Sequence, residues 1–268
     1  MNKINFFKPV IVPLLLLGFW ELISRNHNIL NSIYLLFGYS KARIPDFHFI
    51  PPTSSILSSL YSMFKTKEFY SLLGDTFLIF SSAFVLSLII GIMVGSIIGL
   101  NKQLERYLFS TIDLMRSIPP IALLPVFILF LGIDNRMKIA LALFGIWPIL
   151  INTFFAIRDI EPIYLKVAKN LQLTKSDILF KVIYPLAFPA IFAGVKISLS
   201  LCLVLTVAGE MMIGNKGIGF LINYSKRIGD YDTMFAAILV IGLIGWLINI
   251  MFKYTDKRLL KWYYQKQQ

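Results

Sequence analysis

Six runs of this chain are apolar for long enough to cross a membrane: residues 8–24, 76–100, 108–131, 138–157, 191–213 and 234–253. A helix needs about 20 mostly apolar residues to traverse the hydrocarbon core. Each run is expected to be helical, because an unpaired backbone group in lipid costs several kcal/mol. Six crossings place both termini on one side. Lys and Arg are denser at the N-terminus, in 101–107, in 158–181 and in the tail, so that side is expected to be the cytoplasm.

The polar stretches carry their own pattern. Ile50-Pro51-Pro52-Thr53-Ser54 reads as a helix start, with Thr53 or Ser54 as cap. Ile56, Leu57, Leu60, Met63 and Phe64 would form one apolar face on the outer surface. Residues 34–39 are apolar but too short to cross. Between the fourth and fifth runs, Pro162 suits a first helical turn beside Glu161. Apolar residues recur at Ile163, Val167, Leu171 and Leu173, and a second start follows at Thr174 or Ser176. Two short amphipathic helices are therefore expected to project into the cytoplasm. Exposed apolar faces of this kind call for a partner protein, and a helix lying on the membrane is the alternative. Pro185 and Pro189 punctuate the entry to the fifth run.

Composition agrees with a lipid solvent. The chain is 57% hydrophobic and 15% charged, with mean hydropathy +0.74, whereas soluble domains are about 25% charged. One integral domain is expected, with a first helix and outer loop (1–75), a core (76–253) and a tail (254–268). The net charge of +12 does not indicate nucleic acid, because the bases sit between apolar runs. They suit orientation signals and anionic lipid headgroups instead. Lys253 to Arg258 anchor the tail, with Trp262, Tyr263 and Tyr264 at the interface. No cleavage site follows the first run, so it reads as an uncleaved helix. Cys202 is a lone cysteine and reads as a packing residue. His27 and His48 lack a partner pattern, so no metal site is expected.

Three features exceed what a passive bundle needs. The third run reads Arg116-Ser117-Ile118-Pro119-Pro120 and then Leu124-Pro125. Prolines remove backbone donors and break helices. Broken helices at membrane depth are tolerated where they line a cavity or lie within protein. Arg116 must face protein, water or headgroups. Glu210, near the outer end of the fifth run, is a functional candidate by default. Gly214, Gly217 and Gly219 after it indicate a tight turn, with Phe220–Ile222 re-entering. Gly91, Gly95 and Gly99 form a small-residue stripe, read as a dimer face or as packing within one subunit.

The loop closing on Ile183-Tyr184-Pro185-Leu186-Ala187-Phe188-Pro189 resembles the signature loop of binding-protein-dependent ABC transporter permeases. Pro51-Pro52-Thr53, Arg116-Ser117-Ile118-Pro119, Leu124-Pro125, Gly132-Ile133, Lys138-Ile139, Pro148-Ile149 with Asn152, Gly209-Glu210-Met211 and Gly217-Ile218-Gly219 are similar, in order, to the nitrate/sulfonate/taurine branch. The resemblance implies an all-α, type I importer permease of the bacterial inner membrane. It implies a paired permease, an ATPase subunit carrying ATP and Mg, and an extracytoplasmic binding protein. It also implies a coupling helix, here Lys166, Val167, Ala168, Leu171, Gln172 and Leu173. Lys166-Val167-Ala168 stands where the family has an E-A-A triplet, and Gln172 where it has glycine. The branch handles nitrate, sulfonates, taurine and some vitamin precursors.

The chain has no GxxxxGK[ST] loop, so ATP is expected on another subunit, and this chain is expected to bind no cofactor. Pathway or gating candidates are Arg116, Pro119, Pro120, Pro125 and Glu210. A secondary carrier would also use broken helices and an intramembrane carboxylate. Against it stand the absence of an internal repeat and the small number of runs. A membrane scaffold would explain the hydrophobicity but not the prolines.

Overall fold

A computed structural model describes residues 4–26, 36, 50–213 and 216–259. His27, His48, residues 34–35 and 37–39, Gly214 and the Trp262–Tyr264 cluster lie outside them. The described residues form helices α1 (Ile4–Arg25), α2 (Thr53–Met63), α3 (Lys67–Leu100), α4 (Lys102–Ser117), α5 (Leu124–Leu131), α6 (Asn135–Ala142), α7 (Ile146–Arg158), α8 (Pro162–Asn170), α9 (Tyr184–Ile213), α10 (Ile218–Ile228) and α11 (Tyr231–Leu259). Among the described residues, four stretches are long and apolar enough to cross a membrane, Lys67–Leu100, Asn135–Arg158, Lys175–Ile213 and Tyr231–Asp256, and a bent pair of helices could make a fifth.

The third apolar run is not a straight span. Helix α4 and the segment Pro120–Leu131 meet at 87°. Pro120 opens a 3-10 turn and Pro125 sits in the first turn of α5. Both are places where a missing N–H costs nothing, so the prolines start new helices instead of kinking one. The loop expected at 101–107 is absent too. Asn101 Oδ1 accepts hydrogen bonds from the amides of Gln103 and Leu104 (2.9 and 3.3 Å), so α4 begins one residue after α3 ends.

Two further expectations shift. Thr53 and Ser54 do not cap α2, because α1 takes their hydrogen bonds. Thr53 Oγ1 donates to the Leu17 carbonyl (3.2 Å), and Ser54 N–H and Oγ bind the Glu21 carboxylate (3.2 and 3.1 Å). The apolar face of α2 is narrower than expected: Ile56 and Met63 are buried and Leu60 half-buried, while Leu57 and Phe64 remain exposed. The second projecting helix is the beginning of the fifth span. Thr174 caps it by accepting from Asp177 N–H (3.2 Å). Lys175–Asp177 then runs through a π turn at Ile178–Ile183 into α9, making 39 continuous residues. Pro185 has no N–H for the carbonyl four residues back, and the wider π turn accommodates that loss. Pro189 lies inside α9.

The core forms where α7 is clasped between α3 and α9. Gly91, Gly95 and Gly99 face α7, which makes the stripe a packing surface within one chain. A Cβ on Gly95 would stand 2.6 Å from the Leu150 carbonyl oxygen and 2.9 Å from Thr153 Cβ. Gly95→Ala is therefore expected to cost about 1–3 kcal/mol by overpacking. A lowered thermal midpoint in detergent checks this; an unchanged midpoint contradicts the packing. Cys202 is buried and free, near Ser198 and the Ala142 carbonyl.

Candidate functional site

Two constructions stand at opposite ends of the 39-residue helix. At one end, Glu210 is fully buried. Its Oε2 accepts from Gly219 N–H and from Thr76 Oγ1, each at 2.9 Å. Thr76 Oγ1 accepts in turn from Ile218 N–H at 2.8 Å. One carboxylate and one hydroxyl thus hold the first two amides of α10, donors that a helix leaves without internal partners. They tie α10 to α9 and α3. Gly217, at φ 102°, makes the turn possible. A Cβ there would strike the Glu210 carboxylate.

Lys138, from α6, is fully buried. Its Nζ donates to the Lys216 carbonyl (3.2 Å) and lies in electrostatic range of Glu210 and Asp75. Asn223 Nδ2 donates to the Met211 carbonyl (2.6 Å), closing the turn on its far side. Sequence reasoning found Glu210, Gly217 and Gly219, named Lys138 only within the family resemblance, and missed Thr76. Lys138 was detectable as a charge at the edge of an apolar run. Nothing local marks Thr76, whose partner lies 134 residues away.

Arg116 does not join this cluster. It pairs with Asp113 on α4 (Nε to Oδ1, 2.7 Å) and is exposed, so its charge is locally answered. Pro119 and Pro125 are exposed and Pro120 half-buried at the bend.

At the other end lies α8. Ala168 is 3% exposed, and Leu165 turns toward the cluster of Ile157, Ile183, Ala187 and Ile191. Ile163, Tyr164, Val167 and Leu171 face outward and are exposed. Lys166 and Lys169 flank them. The root of the loop is fixed by Arg158, which pairs with Asp159 (2.7 Å) and Glu105 (3.5 Å). Tyr184 Oη also donates to Ser96 Oγ (3.1 Å).

Helix α8 ends in a Schellman motif. Leu173 N–H donates to the Ala168 carbonyl (3.2 Å) and Gln172 N–H to that of Lys169 (2.9 Å). Gln172 is left-handed, at φ 55°, the position that favours glycine. That conformation costs an L-residue about 1–2 kcal/mol. Gln172→Gly is expected to slow hydrogen exchange at the Leu173 amide about fivefold, equivalent to about 1 kcal/mol. Unchanged exchange would show that the strain is relieved elsewhere.

The described residues, helical and with several stretches long and apolar enough to cross a membrane, define a multi-pass membrane protein. Solved structures share that fold. An amino acid ABC transporter chain matches at TM-score 0.58, 18% identity, over 77% of this chain and 98% of its own. A chain of the inward-facing MetNI methionine ABC transporter matches at 0.56 and 20%, over 77% and 96%. The family of binding-protein-dependent transport system inner membrane components matches residues 87–261, and the chain belongs to it. Among its relatives is the putative aliphatic sulfonates transport permease SsuC of Bacillus subtilis, 26% identical over 97% of this chain and 89% of that protein. The nitrate import permease NrtB of Leptolyngbya laminosa is 32% identical over 66% and 64%. The bicarbonate transport system permease CmpB of Synechococcus elongatus is 33% identical over 68% and 66%.

Proposed function

We propose that two copies of this chain form the translocation path of an ATP-driven importer. A small solute of the nitrate, sulfonate, taurine or bicarbonate kind arrives on an extracytoplasmic binding protein. ATP, with Mg, is hydrolysed on separate ATPase subunits. The observation that carries this reading is the apolar stripe Ile163, Val167 and Leu171, presented outward by a helix whose other face is locked into the core. A groove on the ATPase receives that stripe, and Lys166 and Lys169 meet an acidic rim. Both termini then lie on the ATPase side. The chain acts as one domain, with core 76–253 between the outer part and the tail. The bend at Pro119, Pro120 and Pro125, with the Glu210 clasp, forms the gate.

Pull-down of the detergent-solubilised chain from its host tests the assembly. An ATPase and a binding protein are expected to co-purify, and the reconstituted complex to take up the binding protein's ligand only with ATP. Co-purification of neither, with uptake that a protonophore abolishes, would favour a secondary carrier.

A further inference from the structure

Helix α9 carries one cation that neither construction uses. Lys196 lies 12 residues beyond Tyr184 and 14 before Glu210, which is about 18 Å and about 21 Å along the axis. It therefore stands near the middle of the 39-residue stretch, and it is exposed. Among the described residues no carboxylate pairs with it. It lines a groove of about 910 Å³ between α9 and α11. Ala193, Lys196 and Ser200 form one wall; Gly242, Gly245 and Asn249 stand on the other. Ser200 and Asn249 are exposed too. Three polar side chains on one groove of an otherwise apolar surface are unsuited to lipid. Intramembrane cations face water, a partner group or a bundle interior. Arg116, the other candidate cation, already has Asp113.

We infer that this groove is a segment of the translocation path and that Lys196 is its anion-contacting residue. Ser200 and Asn249 offer further hydrogen bonds to a small oxyanion or carboxylate. The glycines keep the opposite wall low. The charge acts as a filter within the membrane, separate from the choice made by a binding protein outside. This inference rests on the permease reading above.

The test uses the full chain with its co-purifying partners in membrane vesicles. Ser200→Cys places a thiol one turn from Lys196, and the parent chain, whose only cysteine is the buried Cys202, is the control. Modification is followed with two thiol-specific methanethiosulfonates, one bearing a sulfonate and one a trimethylammonium. The sulfonate reagent is expected to react on the order of tenfold faster, since a charged cleft concentrates the opposite charge. Lys196→Gln should bring the two rates together, and Lys196→Arg should keep them apart. Equal rates with Lys196 present, or a ratio that Lys196→Gln leaves unchanged, would overturn the inference. So would the absence of reaction with either reagent, which would place lipid or a second copy on the groove and the ammonium at the headgroups. These rates are read whether or not ATP drives uptake, so their failure is distinct from failure of the permease reading.

Discussion

Glu210→Ala is expected to destabilise the protein by about 3–5 kcal/mol, the range for removing one partner from a buried charged cluster. Several losses act together. Gly219 N–H, whose bond to Glu210 is 2.9 Å, becomes a buried donor without an acceptor. Thr76 loses the acceptor of its hydroxyl proton and turns to the Leu72 carbonyl at 3.2 Å. Lys138 stays buried and loses the nearby Glu210 charge, keeping Asp75 and the Lys216 carbonyl. For a chain of this size the fall in thermal midpoint is on the order of 10 °C. Glu210→Gln keeps an oxygen for Gly219 and Thr76 and should fall by less than half as much. Thermal unfolding in detergent, followed by helical signal, separates the two. An alanine variant as stable as the parent would mean that the clasp does not hold α10.

The second large effect concerns the opposite end. Leu171→Glu or Val167→Glu should lower ATP-dependent uptake on the order of 30-fold or more, as loss of an interface hot spot does. Both side chains are exposed, at 68% and 48%, so the isolated chain should keep its thermal midpoint. Ala168→Asp should lower uptake and midpoint together, because Ala168 is 3% exposed and a carboxylate there lies against the core. Uptake, ATPase co-purification and melting, measured side by side, give the pattern. Full uptake in the Leu171 and Val167 variants would remove α8 from the ATPase contact.

Features fixed by local chemistry were legible in the sequence. Pro162 and the 163–171 spacing placed α8, Thr174 or Ser176 marked the next helix start, of which Thr174 is the cap, and the prolines near 120 marked the break. Burial and pairing across the chain were less legible. The residues of the altered triplet separate by face: Ala168 points inward, while Lys166 and Val167 point outward. Only packing against Ile178–Ile183 decides that. Thr53 and Ser54 carried the right chemistry for a cap, but Glu21 and Leu17 of α1 competed for them and won. The 87° bend follows from the prolines in kind, though its size depends on where α5 finds α6. Lys138 and Thr76 could not be joined to Glu210 by any spacing rule, since their partners come from three separate helices.

The uninterrupted run from Lys175 to Ile213 sets a rule of register. Each residue of an α-helix turns the chain by about 100°. Adding or deleting one residue between the Thr174 cap and Glu210 would aim the carboxylate away from Gly219, or else swing α8 and its apolar stripe around the axis. Exposed side chains along this rod can be exchanged one at a time without moving its ends. Its length cannot, and the ends keep their relative aim only while the count of residues between them is held.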